Sequence, residues 1–194
     1  PELLSQRFHA AWKARGAFDY SRDAWRRLVV ATFRDTGAPD VDELLFEAIF
    51  RRFESPGAWR MYSDAVLALE MLSDLGIPIL IISNWDQRLR TLLEAMELAD
   101  GFASITISCE VEAHKPSPEI FARAAESVGL TPREVLHVGD SYDEDYQGAL
   151  NAGFQARWLS REGGADGERL DSIRELTELI PFDRAPTIAL PSRA

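Results

Sequence analysis

The sequence predicts an α/β fold with a mostly parallel sheet, preceded by a separate layer of helices. Three observations lead there. From about residue 58 onward, short apolar runs alternate with helical patterns, the signature of βαβ units. Before that point three helical patterns follow one another with no strand among them. Finally, polar residues of different kinds follow the apolar runs, where the carboxyl ends of parallel strands line a ligand crevice.

In the first part of the chain, Leu3, Leu4, Phe8, Ala11 and Trp12 fall at helical spacing. Ser21 is a good N-cap for a second helix carrying Trp25, Leu28, Val29 and Phe33, and Gly37-Ala-Pro39 ends it. Asp40 or Asp42 starts a third, with Leu44, Leu45, Ala48, Ile49 and Phe53. The aromatic residues here are most simply the core of that layer. Ser55-Pro-Gly57 is a turn and marks the boundary between regions 1–57 and 58–194.

Beyond it, Ser63 to Leu75 reads as a helix stopped by Gly76. Pro78 to Ile82 is continuously apolar, as for a strand buried on both faces. Helices are expected at Gln87 to Met96, Pro118 to Val128, Gln147 to Ala152 and Leu170 to Ile180. Further strands are expected at 103–108, 135–138 and 154–159, with a loop over Arg161 to Glu168.

Composition bounds the function. The 194 residues suffice for one good core with a small appendage. A net charge of -11 argues against nucleic acid and against an anionic membrane surface as partners. No apolar run reaches transmembrane length. One cysteine, Cys109, excludes an internal disulfide and suggests a reducing, cytoplasmic setting. Its apolar neighbours suggest a packed thiol. Oligomeric state is left open.

The chemistry gathers at three strand ends. Ser83-Asn84 follows the first strand, His114-Lys115-Pro116 the second, and Gly139-Asp140 the third, with Asp143, Glu144 and Asp145 close behind. Crowded carboxylates repel unless a cation or proton intervenes, and hard oxygen donors suit Mg²⁺. The plain alternative is an acidic, solvated turn capping its helix. Lys13 and Lys115 are the only lysines, so a lysine beside a strand end stands out. A hydroxyl and an amide, an ammonium and a carboxylate cluster are together the equipment for a phosphoryl group.

These residues resemble the haloacid dehalogenase (HAD) superfamily, with its Rossmann-like core and inserted α-helical cap. Ile81-Ile-Ser-Asn-Trp-Asp86 is similar to its second motif, His114 to Phe121 to its third and His137 to Ala149 to its fourth. The Asn84-Trp85-Asp86 and Asp145-Tyr-Gln-Gly148 runs resemble its domain-containing 3 branch. The resemblance implies a cap over 1–57, phosphate binding by Ser83, Asn84 and Lys115, a catalytic charge-balancing role for Lys115, and Mg²⁺ on Asp140 with Asp145 in support. It further implies a Mg²⁺-dependent phosphatase acting on a small phosphate ester through an aspartyl-phosphate. A non-catalytic binding or assembly protein and a 2-haloacid dehalogenase are the alternatives; a metal-ligand Asp140 speaks against the second.

One departure matters. The family's first motif, a strand ending in Asp-x-Asp-x-Thr that carries the nucleophile, has no counterpart in the sequence, which opens at Pro1 inside the cap pattern. Residues upstream of Pro1 are expected to supply it in the natural protein. The missing strand belongs in the middle of the sheet, so two strands are expected to lose a neighbour. Thr187 to Leu190 is the one loose strand-like piece and a poor substitute, and Asp86 the best-placed spare carboxylate. His137, inside a strand, reads as a packed, hydrogen-bonded histidine.

Overall fold

The structure, a computed structural model, describes residues 2–161 and the backbone of 169 and 170. The expected helix at 171–180, the loop at 162–168 and Thr187 to Leu190 lie outside the described residues.

Three helices come first: α1 (Glu2–Lys13), α2 (Arg22–Phe33) and α3 (Glu43–Arg52). Their starts follow the caps read from the sequence. Ser21 Oγ accepts from Ala24 N at 3.1 Å, and Asp42 Oδ1 from Leu45 N at 2.8 Å. Each satisfies a backbone donor that a helix start leaves orphaned. Phe18, Tyr20, Ala24 and Leu28 form a buried cluster closed over by Trp12 and Trp25. Phe46 of α3 is fully buried, with the Arg22 guanidinium over its ring. The Ser55–Gly57 turn continues as a single 3₁₀ turn, Pro56–Ala58. It is tied at both sides, by Arg52 Nη2 donating to Gly57 O and by Trp59 Nε1 donating to Phe53 O.

The α/β region follows as α4 (Ser63–Asp74), β1 (Leu80–Ser83), α5 (Arg88–Ala95), β2 (Ser104–Ile107), α6 (Ser108–Val111), α7 (Pro118–Glu126), β3 (Leu136–Gly139), a π-helical turn (Tyr142–Gln147), α8 (Gly148–Asn151), β4 (Gln155–Leu159) and β5 (Arg169–Leu170). All pairings are parallel. β1 runs beside β2 with Leu80 opposite Ser104 and Ser83 opposite Ile107. β3 runs beside β4 with Leu136 opposite Gln155, and β4 beside β5. Among the described residues β1 and β3 do not pair, so the strands form two half-sheets, β1-β2 and β3-β4-β5.

One core holds the halves together. Ile120, Phe121 and Ala125 of α7 pack with Ala149, Phe154 and Ala156, and Ile82 of β1 and Val135 lean on the same cluster. Full burial of a side chain like Phe121 contributes roughly 2–3 kcal/mol. Because α7 spans both halves, the carboxyl ends of β1 and β3 come together.

Three expectations change. β1 is only half-buried along its whole length, not buried on both faces, because among the described residues it has a strand neighbour on one edge alone. The acidic run after β3, expected as a turn leading to a helix at Gln147, is itself helical from Tyr142. Ser141 drives this, its Oγ accepting from Glu144 N and its carbonyl from Asp145 N and Tyr146 N. Leu170, expected to open a helix, instead pairs with Leu159 in β5.

Candidate active site

The site is built on a buried cation and carboxylate. Lys115 Nζ donates to Asp145 Oδ1 at 2.5 Å, with side chains only 12% and 5% exposed. His137 Nε2 lies 3.1 Å from the same oxygen, and Ser141 N donates to Oδ2 at 3.0 Å. Burial alone would push the Asp145 carboxyl up. The His137 hydrogen bond and the Lys115 charge outweigh it and hold the group well below the usual carboxylate range.

Two glycines make the arrangement possible. A Cβ on Gly139 would lie 2.2 Å from Asp145 Cγ, so no other residue allows the carboxylate to fold back under β3. A Cβ on Gly148 would meet Pro116 at 3.0 Å, so glycine there lets α8 press against the residue after Lys115. The Lys115-Pro116 peptide is cis.

Asn84 fastens the two half-sheets at their ends. Its Oδ1 accepts from Lys115 N at 2.7 Å, and its Nδ2 donates to Lys115 O at 2.9 Å and to Glu144 Oε2 at 3.1 Å. The amide is therefore committed to holding the Lys115 loop. Ser83 ends β1 immediately before it, half-buried. Asp140, at the end of β3, is different again. It is exposed, and among the described residues its carboxylate has no hydrogen-bond partner, though its carbonyl accepts from Trp158 Nε1 at 3.0 Å. The structure thus brings Asn84, Lys115 and Asp145 into direct contact, with Ser83 and Asp140 on the adjoining strand ends. Among the described residues no three His, Cys, Asp or Glu side chains form a ready-made metal cage.

Several contacts were not foreseen. Asp145, expected as a second metal position, has both oxygens engaged by protein donors. His137, read as a packed histidine, packs edge-on against Phe121 and also touches the Asp145 carboxylate. Asp86 is buried under Arg88, whose Nε and Nη2 donate to its two oxygens at 2.8 and 2.6 Å. From the helical region, Arg15 reaches Glu144 at 3.5 Å, and the buried Tyr20 ring stands 6.2 Å from that of His114. Burial, then the Glu144 charge, push the Tyr20 hydroxyl up. The Cys109 thiol is half-buried and pushed up by burial, then by Asp86, which suits a packed thiol. Only the acidic run hinted at Glu144; nothing in local spacing points to Arg15 or Tyr20.

A family model described as haloacid dehalogenase-like hydrolase matches residues 7–153, three quarters of the chain and every strand-end residue above. The chain belongs to the haloacid dehalogenase-like hydrolase family. It is 31% identical over 169 residues to mouse haloacid dehalogenase-like hydrolase domain-containing protein 3, covering 83% of this chain and 67% of that one. It is 29% identical over 164 residues to a glyceraldehyde 3-phosphate phosphatase of Methanopyrus kandleri, covering 76% and 68%. Among solved structures, a HAD phosphatase from Thermococcus onnurineus superposes with a TM-score of 0.69 at 27% identity, covering 90% of this chain and 78% of that one. The HAD architecture expected from the motifs is therefore the observed one. Among the described residues no helix is long and apolar enough to cross a membrane.

Proposed function

We propose that this HAD-family chain holds the phosphate and Mg²⁺ of a phosphatase that cleaves small phosphate esters, with residues 1–57 as a cap beside the mouth and 58–194 as the core. The observation that carries the reading is the fixed cation, Lys115, pinned by Asp145 where β1 and β3 end. A phosphoryl group in transfer spreads charge over three oxygens and is stabilised by donors set in place beforehand. Lys115 supplies the charge, the Ser83 hydroxyl donates to a phosphate oxygen, and Asn84 holds the loop that aims Lys115. The relatives named as phosphatases support a phosphate ester as substrate.

Mg²⁺ fits the donor set. It takes one or two carboxylates, keeps several waters and uses substrate phosphate for the rest. Asp140 is an exposed carboxylate free of protein hydrogen bonds among the described residues, and Asp145 lies behind it as the partner of Lys115. Asp140 would hold the ion, with Asp145 in support from its place behind. When bound, the ion would neutralise charge developing on the phosphoryl oxygens.

The nucleophile is the remaining part. The family's reaction runs through an aspartate, and Asp140, Asp145 and Asp86 all have other work. We assign it to a strand ending in Asp-x-Asp that seats between β1 and β3, each of which is hydrogen-bonded along one edge only among the described residues. The test is an add-back. Hydrolysis of p-nitrophenyl phosphate with Mg²⁺ is measured for residues 1–194 and for the same chain extended by such a strand. Turnover is expected in the extended chain alone. Activity of residues 1–194 that survives repurification and vanishes with Asp140→Asn would overturn the nucleophile assignment. A folded, extended chain that binds Mg²⁺ yet hydrolyses nothing would overturn the phosphatase reading.

A further inference from the structure

His137 is a buried polar side chain that the phosphatase reading leaves without work. It sits in β3, 10% exposed, on the strand whose end carries Asp140. Successive side chains of a strand alternate between faces, so His137 and Gly139 share one. Asp145 folds back under that face. A Cβ on Gly139 would strike its carboxylate, and His137 Nε2 stands 3.1 Å from its Oδ1.

The partner of that nitrogen fixes its proton. Against burial, the His137 hydrogen bond and the Lys115 charge hold the Asp145 carboxyl well below the usual range. It is therefore ionised, and an ionised carboxylate only accepts hydrogen bonds. Nε2 carries hydrogen and donates, whichever charge the ring has. Lys115 Nζ donates to the same oxygen at 2.5 Å, while Ser141 N donates to Oδ2 at 3.0 Å. Each carboxylate oxygen offers two lone-pair sites. On Oδ1, His137 occupies one and leaves the ammonium the other.

The imidazole is itself held. Phe121 meets it edge to face, with ring centres 5.2 Å apart and planes at 88°. Phe121 is fully buried in α7 and packs in turn on Phe154 at 5.5 Å. A line of contacts thus runs from the core through Phe121, His137 and Asp145 to the ammonium.

We propose that His137 aims Lys115: by donating to Asp145 Oδ1 it fixes the place that the ammonium takes on that oxygen, and it shares a carboxylate that would otherwise neutralise the cation alone. His137 is a positioning residue acting through Asp145. An ammonium has three donors, and those not spent on Asp145 are free for the crevice. Their use on a phosphate rests on the phosphatase reading above; the aim itself does not.

Lys13 and Lys115 are the only lysines, so isotope-labelled lysine gives a spectrum of two side chains, one exposed at the end of α1 and one in the site. In residues 1–194, the two ε-methylene protons of Lys115 should resonate apart and its ammonium protons should exchange slowly with water. Lys13 should show neither property. His137→Leu removes the donor and keeps an apolar side chain against Phe121. It should merge the Lys115 methylene signals and speed the ammonium exchange. His137→Gln, whose amide nitrogen still reaches Asp145, should preserve both properties, and the shorter His137→Asn should lose both. Should His137→Leu not fold, the Gln and Asn variants make the comparison alone. In the extended chain of the add-back test, His137→Leu should lower kcat for p-nitrophenyl phosphate by about tenfold or more at unchanged KM, and His137→Gln should restore it. Lys115 signals that are the same in His137→Asn as in the parent, or altered alike by Gln and Asn, overturn the proposal. So does a loss of kcat that Gln leaves unrestored. An extended chain without turnover in any form counts against the phosphatase reading, and the resonances still decide the role of His137.

Discussion

Asp140 and Asp145 stand five residues apart at the end of the same strand and could hardly be treated more differently. Asp145 is buried, receives Lys115, His137 and Ser141 N, and is held ionised far below the ordinary range. Asp140 is exposed and, among the described residues, its carboxylate has no hydrogen-bond partner. The difference teaches that proximity to a strand end does not assign a role. A carboxylate saturated with protein donors is a charge partner, and one left unsatisfied is available for a hard cation. The π-helical turn creates the distinction, because its wide register swings Asp145 back beneath Gly139 while Asp140 stays at the rim.

The sharpest way to break this comparison is at Lys115. In the extended chain of the add-back test, Lys115→Ala removes the fixed cation and leaves Asp145 a buried charge facing, among the described residues, His137 and Ser141 N. Turnover of a phosphate ester should fall by about a hundredfold or more, the range reached when one preorganised charge-stabilising donor is removed. Near-normal turnover would make Lys115 a structural residue.

Asp145→Asn should come next, and its effect should be seen first in stability. Removing one partner of a buried pair costs about 3–5 kcal/mol because the other charge is left uncompensated. Urea titration of parent and variant reads this directly. A loss near that of a surface substitution, about 0.5 kcal/mol or less, would mean that Lys115 finds solvent easily and that the pair is not the keystone described.

Acid sharpens the same point with a smaller effect. The Asp145 carboxyl is lower in the folded protein than its ordinary value near 4. The unfolded chain therefore takes up the proton first as pH falls. The stability from this group is fully present above about pH 5 and is lost progressively below pH 4. The parent's stability should drop faster than that of Asp145→Asn between about pH 5 and 2. Parallel curves would show that the carboxylate is not held ionised.

Much of this was legible in the sequence. The helix caps Ser21 and Asp42 were readable because capping is local, and the strand ends because apolar runs break at polar residues. Ser83, Asn84, Lys115, Asp140 and Asp145 were all visible as candidates. Their partners were not. Lys115 meets Asp145 thirty residues away, and Arg88 meets Phe50 across thirty-eight. Spacing cannot show which of two neighbouring carboxylates turns inward. The half-burial of β1 was also missed, since an apolar run reports a preference for burial and not whether a neighbouring strand is there to provide it.

Calorimetric titration of Mg²⁺, run with the extended chain of the add-back test and its Asp140→Ala and Asp145→Asn variants at neutral pH, tests the division of roles most directly. Asp140→Ala should weaken Mg²⁺ binding by tenfold or more while leaving folding stability within about 0.5 kcal/mol of the parent. Asp145→Asn should lose stability first and bind more weakly only through the disturbed loop. Mg²⁺ binding to Asp140→Ala as tight as to the parent would contradict the account.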